Sequence, residues 1–128
     1  MSGHHALPHL PGRALIEAYG NGGFRFSTMS HRGSLLCLPS GIYAWDACTL
    51  EDVSRSSLAP VFAERGRELS FLVLGTGATM LRPGDRLRYM FNGSGISLDA
   101  MATGAAARTY NIMLGEGRPV AAALLAVP

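Results

Sequence analysis

A mixed α/β domain, with antiparallel N-terminal strands joined to a C-terminal βαβαβ unit in a mixed β-sheet, is the fold class the sequence predicts. Three observations predict it. The first third holds short apolar runs separated by glycine- and proline-bearing turns. Beyond residue 55 the apolar period lengthens to that of a helix, and the stretches between helical segments are short and rich in Val, Ile and Leu. Strand, helix, strand, helix, strand at this spacing implies right-handed crossovers and a parallel core of three strands. With 128 residues, 48% hydrophobic and 16% charged, the chain suits one core.

Residues 1–12 are expected to form a flexible tail, and residues 13–128 a single compact α/β domain. The tail holds His4, His5, His9, Pro8 and Pro11 but no apolar run of signal-peptide length. Residues 14–18 and 24–28 read as a hairpin around Gly20-Asn21-Gly22-Gly23, whose glycines tolerate positive φ. Residues 35–38 and 42–45 read as two further strands divided by Pro39-Ser40-Gly41.

Apolar triads at i, i+3, i+4 then mark three helices: Leu58/Val61/Phe62, Leu87/Met90/Phe91 and Tyr110/Met113/Leu114. Gly66, Asn92-Gly93 and Gly115 or Gly117 supply stop signals, and Pro60 suits a first helical turn. The intervening strands are expected at residues 69–74, 96–101 and 120–127.

In open α/β sheets ligands sit beyond the carboxyl ends of the strands, so two loops are expected to meet in a crevice. One is Gly75-Thr76-Gly77 and the other Ala102-Thr103-Gly104. Thr103 reads as an N-cap, behind which free N–H groups attract an anion. Gly104, Arg108 and Asn111 share a face at i, i+4, i+7, so Arg108 and Asn111 would line the same crevice and hold a small anionic ligand or a partner's carboxylate. The candidate ligand- or partner-binding set is thus Gly75, Thr76, Gly77, Thr103, Gly104, Arg108 and Asn111.

Other chemistries find little support. The basic residues are 11 Arg and no Lys, which removes Schiff-base and P-loop lysine mechanisms, and a net charge of +2 does not point to a polyanion. Arg82, Arg86 and Arg88 cluster, but Asp85 interrupts them and no aromatic stacking pattern accompanies them, so no nucleic-acid partner is expected. Gly75-Thr76-Gly77 lacks the third glycine of a dinucleotide fingerprint, Met80 standing in its place, and no cofactor is expected. Cys37 and Cys48 lack companion ligands at zinc spacing, and Cys37 reads as a buried, inert thiol. Ser40, His31 and Asp46 form no recognised nucleophile motif, and Glu51 and Asp52 read as a solvated loop or helix start. Trp45, the one tryptophan, is expected first in the core and second as a partner-facing contact. The longest late apolar run, Val120 to Val127, is too short to span a bilayer, so a cytoplasmic protein is expected, with at most peripheral contact with the inner membrane.

Two tracts carry a resemblance: Ala18-Tyr19-Gly20-Asn21-Gly22-Gly23-Phe24-Arg25-Phe26 and Gly33-Ser34-Leu35-Leu36-Cys37-Leu38-Pro39-Ser40-Gly41-Ile42-Tyr43-Ala44-Trp45. The second half adds Phe71-Leu72-Val73-Leu74-Gly75-Thr76-Gly77, Thr103-Gly104-Ala105-Ala106, Arg108-Thr109-Tyr110-Asn111 and Arg118-Pro119-Val120-Ala121-Ala122-Ala123-Leu124. Over about residues 13–127 the chain resembles a family of small domains that includes the mitochondrial complex I assembly factor three and many bacterial proteins. The resemblance implies one compact α/β domain with a mixed sheet. It also implies a non-enzymatic factor whose protein partners are intermediates in the assembly of a larger complex, membrane-bound for the mitochondrial relative. Many members of the family it resembles carry a cysteine immediately before the Arg of the ArgThrTyrAsn tract, where this chain has Ala107, so a shared thiol mechanism is not implied here. The second function class is a small-molecule or anion binder, or an enzyme, working in the predicted crevice.

Overall fold

The computed structural model describes residues 8–128. β5 (Ser34–Leu38) lies inside the main sheet, and all five of its residues are buried because both faces of the sheet are covered. On one side it pairs antiparallel with β6 (Gly41–Trp45), on the other with β9 (Val120–Leu124). β9 runs parallel to β7 (Phe71–Gly75), and β7 runs parallel to β8 (Ser97–Met101), which ends the sheet. The predicted parallel trio is present, with β7 in its centre. At the opposite edge, β1 (Leu10–Pro11) pairs with Gly41 and Ile42. Residues 10 and 11, assigned to the tail by composition, therefore belong to the sheet, while the rest of the tail before Pro8 lies outside the described residues.

A second, three-stranded antiparallel sheet comprises β2 (Ala18–Gly20), β3 (Gly23–Phe26) and β4 (Met29–Arg32). The expected hairpin is there, turning on Asn21 (φ 51°) and Gly22 (φ 80°), the pair of positive angles that a two-residue turn of the favoured hand requires. Its first strand is Ala18–Gly20 rather than residues 14–18, because the backbone N–H and C=O of Ile16 bond to a helix side chain. The sequence reading missed β4. Its turn, Ser27 (φ 47°) and Thr28 (φ 63°), uses residues that seldom adopt the left-handed region.

The helices are α1 (Ala59–Ala63), α2 (Asp85–Met90) and α3 (Thr103–Gly115). Each contains or abuts its predicted triad, with Leu58, Val61, Leu87, Phe91 and Tyr110 buried. Pro60 falls in the first turn of α1, and Gly66, Gly93 and Gly117 follow the helices with positive φ.

Strand alternation divides the core into two layers. Leu36, Leu38, Leu72, Leu74, Ala121 and Ala123 pack toward α1 and α2. Leu35, Cys37, Val73, Ala122 and Leu124 pack toward α3 and the small sheet, represented by Phe24 and Phe26. Ala122 on β9 and Ala106 and Ala107 on α3 bring that helix close to the sheet. Trp45 is in the core as expected, and its indole N–H donates to Ser57 O at 2.8 Å.

Candidate functional site

The carboxyl ends of β7 and β8 do meet Thr103, but through hydrogen bonds that lace them together. Thr103 Oγ1 accepts from the Gly77 N–H at 2.9 Å and donates to Leu125 O at 2.7 Å, while the Thr103 N–H donates to Gly77 O at 2.9 Å. Thr103 is fully buried. The N-cap position belongs to Ala102, so the expected capping role of Thr103 is corrected: its hydroxyl serves two neighbouring loops instead of its own helix. A Cβ on Gly75 would stand 2.8 Å from Thr103 Oγ1, so glycine allows this approach. Thr76 is buried as well, its hydroxyl donating to Thr79 O at 2.7 Å and accepting from the Leu81 N–H at 3.0 Å.

Gly104 and Asn111 do share a face of α3, and the chain's own Ile16–Tyr19 segment covers it. Asn111 Oδ1 accepts from the Ile16 N–H and its Nδ2 donates to Ile16 O, both at 2.8 Å. Tyr19 occupies the space a Cβ on Gly104 would need. Between them Arg108 is exposed, and neither ion pair found among the described residues involves it. The structure therefore brings Gly75, Thr76, Gly77 and Thr103 together as one interlocked loop pair and sets Asn111 on different partners.

A different surface stands open on the α2 side. Met80, Leu81 and Tyr89 are exposed by 58%, 45% and 75%, large apolar groups for a domain that buries so much else. Between α2 and residues 50–56 lies a groove of about 650 Å³, reached by Tyr89, Met90, Leu50, Arg55 and Arg86. A second groove, of about 460 Å³, runs against β8 and is lined by Met80, Arg82, Pro83, Arg88, Leu98 and Ala100. The sequence reading grouped the three arginines here but not the apolar residues. The signal was available in Met80-Leu81, an apolar pair in a loop, outside the period of any element.

Titratable groups elsewhere are tuned for structure. Burial pushes the Cys37 thiol far above its ordinary range, the inert state expected for it. Burial, then Cys37 nearby, likewise raises the Tyr110 hydroxyl, with Arg13 opposing. Among the described residues the Tyr110 hydroxyl and Arg13 Nε are buried without hydrogen-bond partners. Partial burial lowers His31, a hydrogen bond with Ser34 O at 3.1 Å raises it, and His9, with ring centroids 4.7 Å apart, lowers it again. Ser40 Oγ donates to Glu64 and contacts the Tyr43 hydroxyl, both at 2.5 Å, so it is engaged away from His31. Asp52 accepts from the Cys48 and Thr49 N–H groups, Cys48 contributing most to holding its carboxyl below the usual range. Among the described residues no cluster of His, Cys, Asp or Glu suits a metal ion, and no helix is long and apolar enough to cross a membrane.

These features define a three-layer α/β domain that is closed at its parallel strand ends and open along a basic, apolar-lined sheet edge. A family model described as "Protein of unknown function (DUF498/DUF598)" matches residues 16–125, and the chain belongs to that family. It is 34% identical over 121 residues to an uncharacterized protein of Rhodobacter capsulatus, covering 94% of this chain and 91% of that one. It is also 27% identical over 110 residues to the Xenopus tropicalis NADH dehydrogenase [ubiquinone] 1 alpha subcomplex assembly factor 3, covering 86% of this chain and 60% of that protein. The chain thus spans less than two thirds of that vertebrate relative. Among solved structures, a Bartonella henselae protein titled an outer membrane protein superposes with a TM-score of 0.88 at 48% identity, over 94% of this chain and 100% of the other.

Proposed function

We propose that this domain is a non-enzymatic docking module that assists the assembly of a larger protein complex. The observation that carries this reading is the exposure of Met80 and Tyr89, each on the rim of one of the two grooves that flank α2, with Leu81 exposed next to Met80 in the chain. Aromatic and methionine side chains are enriched where proteins meet, and here they stand beside concave surface that a partner could fill. Kinship with an assembly factor of NADH dehydrogenase supports the same role and suggests a respiratory client. The engagement of Thr103, Thr76 and Asn111 in internal hydrogen bonds weighs against catalysis at the strand ends. One feature favours the second reading, a small-anion site: Arg108 offers an exposed guanidinium on the face where the candidate set was expected.

Crosslinked affinity capture of the tagged chain from its own cells tests both. A reproducible set of proteins that disappears with Met80→Ser/Tyr89→Ser and persists with Arg108→Ala is the expected result. Loss of the set only with Arg108→Ala would move the site to α3, and no set above background with the unaltered chain would end the docking reading.

A further inference from the structure

We infer that the open edge of β8 receives an extended acidic segment of a partner protein as an additional strand, an inference that rests on the docking role proposed above. β8 is the terminal strand of the main sheet and, among the described residues, pairs only with β7. The Ser97 N–H donates to Ser70 O and the Met101 C=O accepts from the Thr76 N–H, both at 2.8 Å and both toward β7. Backbone groups alternate along a strand, so the N–H and C=O of Leu98 and Ala100 point away from the sheet. No helix or loop hydrogen bond reaches them among the described residues. Unpaired donors and acceptors in this order are a template for one more strand.

The other edge of the same sheet is blunted. β1 has only two residues, and one of them, Pro11, has no N–H to offer. β8 has five residues and no proline.

The surroundings of β8 specify the guest. Leu98 and Ala100 are half-buried on the α2 side, where the groove of about 460 Å³ can take the alternate side chains of an added strand. Apolar groups on the guest fit against Leu98, Ala100, Met80 and Pro83. Arg82 and Arg88 line the same groove, are exposed, and take no part in the ion pairs found among the described residues. Carboxylates flanking the guest's apolar centre would complete them, steering the encounter and fixing the register. A second copy of this chain fits poorly. Antiparallel self-pairing with Leu98 opposite Ala100 sets the two Asp99 carboxylates across from each other, and it adds more arginine to an already basic edge.

The test uses the whole chain and a fluorescein-labelled peptide with a valine-threonine-valine centre between pairs of glutamates, against a counterpart with lysines in place of the glutamates. Saturable binding of the acidic peptide, with slowed amide exchange at Leu98 and Ala100, is expected. Ala100→Pro removes an outward N–H without touching the β7 ladder, and Arg82→Glu/Arg88→Glu reverses the groove's charge. Each should weaken binding at least about tenfold. Arg82 and Arg88 are exposed, so the charge variant keeps the test open if the proline variant fails to fold. Absence of saturable binding, equal binding of the lysine peptide, unchanged affinity in the folded variants, or unaltered exchange at Leu98 and Ala100 would each overturn the inference. The docking role is judged separately: a captured protein set that survives Ala100→Pro but is lost with Met80→Ser/Tyr89→Ser retains it while removing the edge from the site.

Discussion

α3 and α2 cover opposite faces of one sheet; each leaves an apolar side chain in solvent, Ile112 at 61% and Tyr89 at 75%, but α3 has one side covered by the chain's own Ile16–Tyr19 segment. α3 has 13 residues, and its sides carry Gly104 and Asn111 against the Ile16–Tyr19 segment. α2 has 6 residues, buries Leu87, and leaves Tyr89 and Arg88 in solvent. The difference teaches where to look for function. Polar side chains that satisfy the chain's own backbone are committed to the fold, and apolar side chains left uncovered are free for another molecule.

The largest effect is expected where α3 is most committed. Asn111→Ala leaves the Ile16 N–H and C=O without partners in a half-buried setting, at roughly 1–3 kcal/mol for a group that stays desolvated. Denaturant unfolding should show a loss of about 2–4 kcal/mol with little change in slope. A loss under about 0.5 kcal/mol would show that water replaces the side chain and that the α3 face is less committed than its geometry indicates.

A smaller effect of the opposite sign is expected at Tyr110, whose hydroxyl lies buried on the α3 side of the sheet with no partner among the described residues. Tyr110→Phe keeps the ring and removes the desolvated group, so stability should rise by roughly 1 kcal/mol. A fall would reveal a bridging water between this hydroxyl and Arg13 Nε. The burial that leaves the hydroxyl unpaired also keeps it protonated, so no change in its charge complicates the comparison.

His31 tests the α3 side through pH. Partial burial is the main cause of its lowered folded-state pKa, with His9 adding to it. In the window between the folded value and the ordinary 6.5, the unfolded chain binds more protons than the native one. Stability should therefore decline as pH falls below about 6.5, and His31→Gln should flatten that slope in unfolding curves taken across the window.

The same contrast explains what the sequence made legible. Helices, parallel strands and core triads were readable because burial imposes a period, as at Leu58/Val61/Phe62. β4 was hidden because Ser27-Thr28 turns the chain without glycine, and the β-branched Thr28 bears a positive φ that local preference disfavours. The face shared by Gly104, Arg108 and Asn111 was visible in the spacing, but not its occupant: nothing in a helical repeat says that Ile16, 95 residues away, will claim the amide. Thr103 misled for a related reason. A threonine before a helix suits a cap, yet the packing of Gly75 against it turned its hydroxyl to Gly77 and Leu125. The edge of β8 left no mark in composition, since an unpaired strand differs from a paired one only in the company it keeps.

The smallest change in stability belongs to the α2 side, and there it carries the most information. Met80→Ser/Tyr89→Ser removes side chains that are 58% and 75% exposed, so little buried area is lost and unfolding should move by no more than about 0.5 kcal/mol. Function should respond instead, because exposed aromatic and methionine side chains give an interface much of its contact at low ordering cost. The informative outcome is a pair of results on one protein: an unfolding curve that overlays the original and a captured partner set that is gone. If the curve shifts by several times that amount, Met80 and Tyr89 are holding the 76–84 loop and α2 in place, and the two faces of the sheet are more alike than their exposures imply.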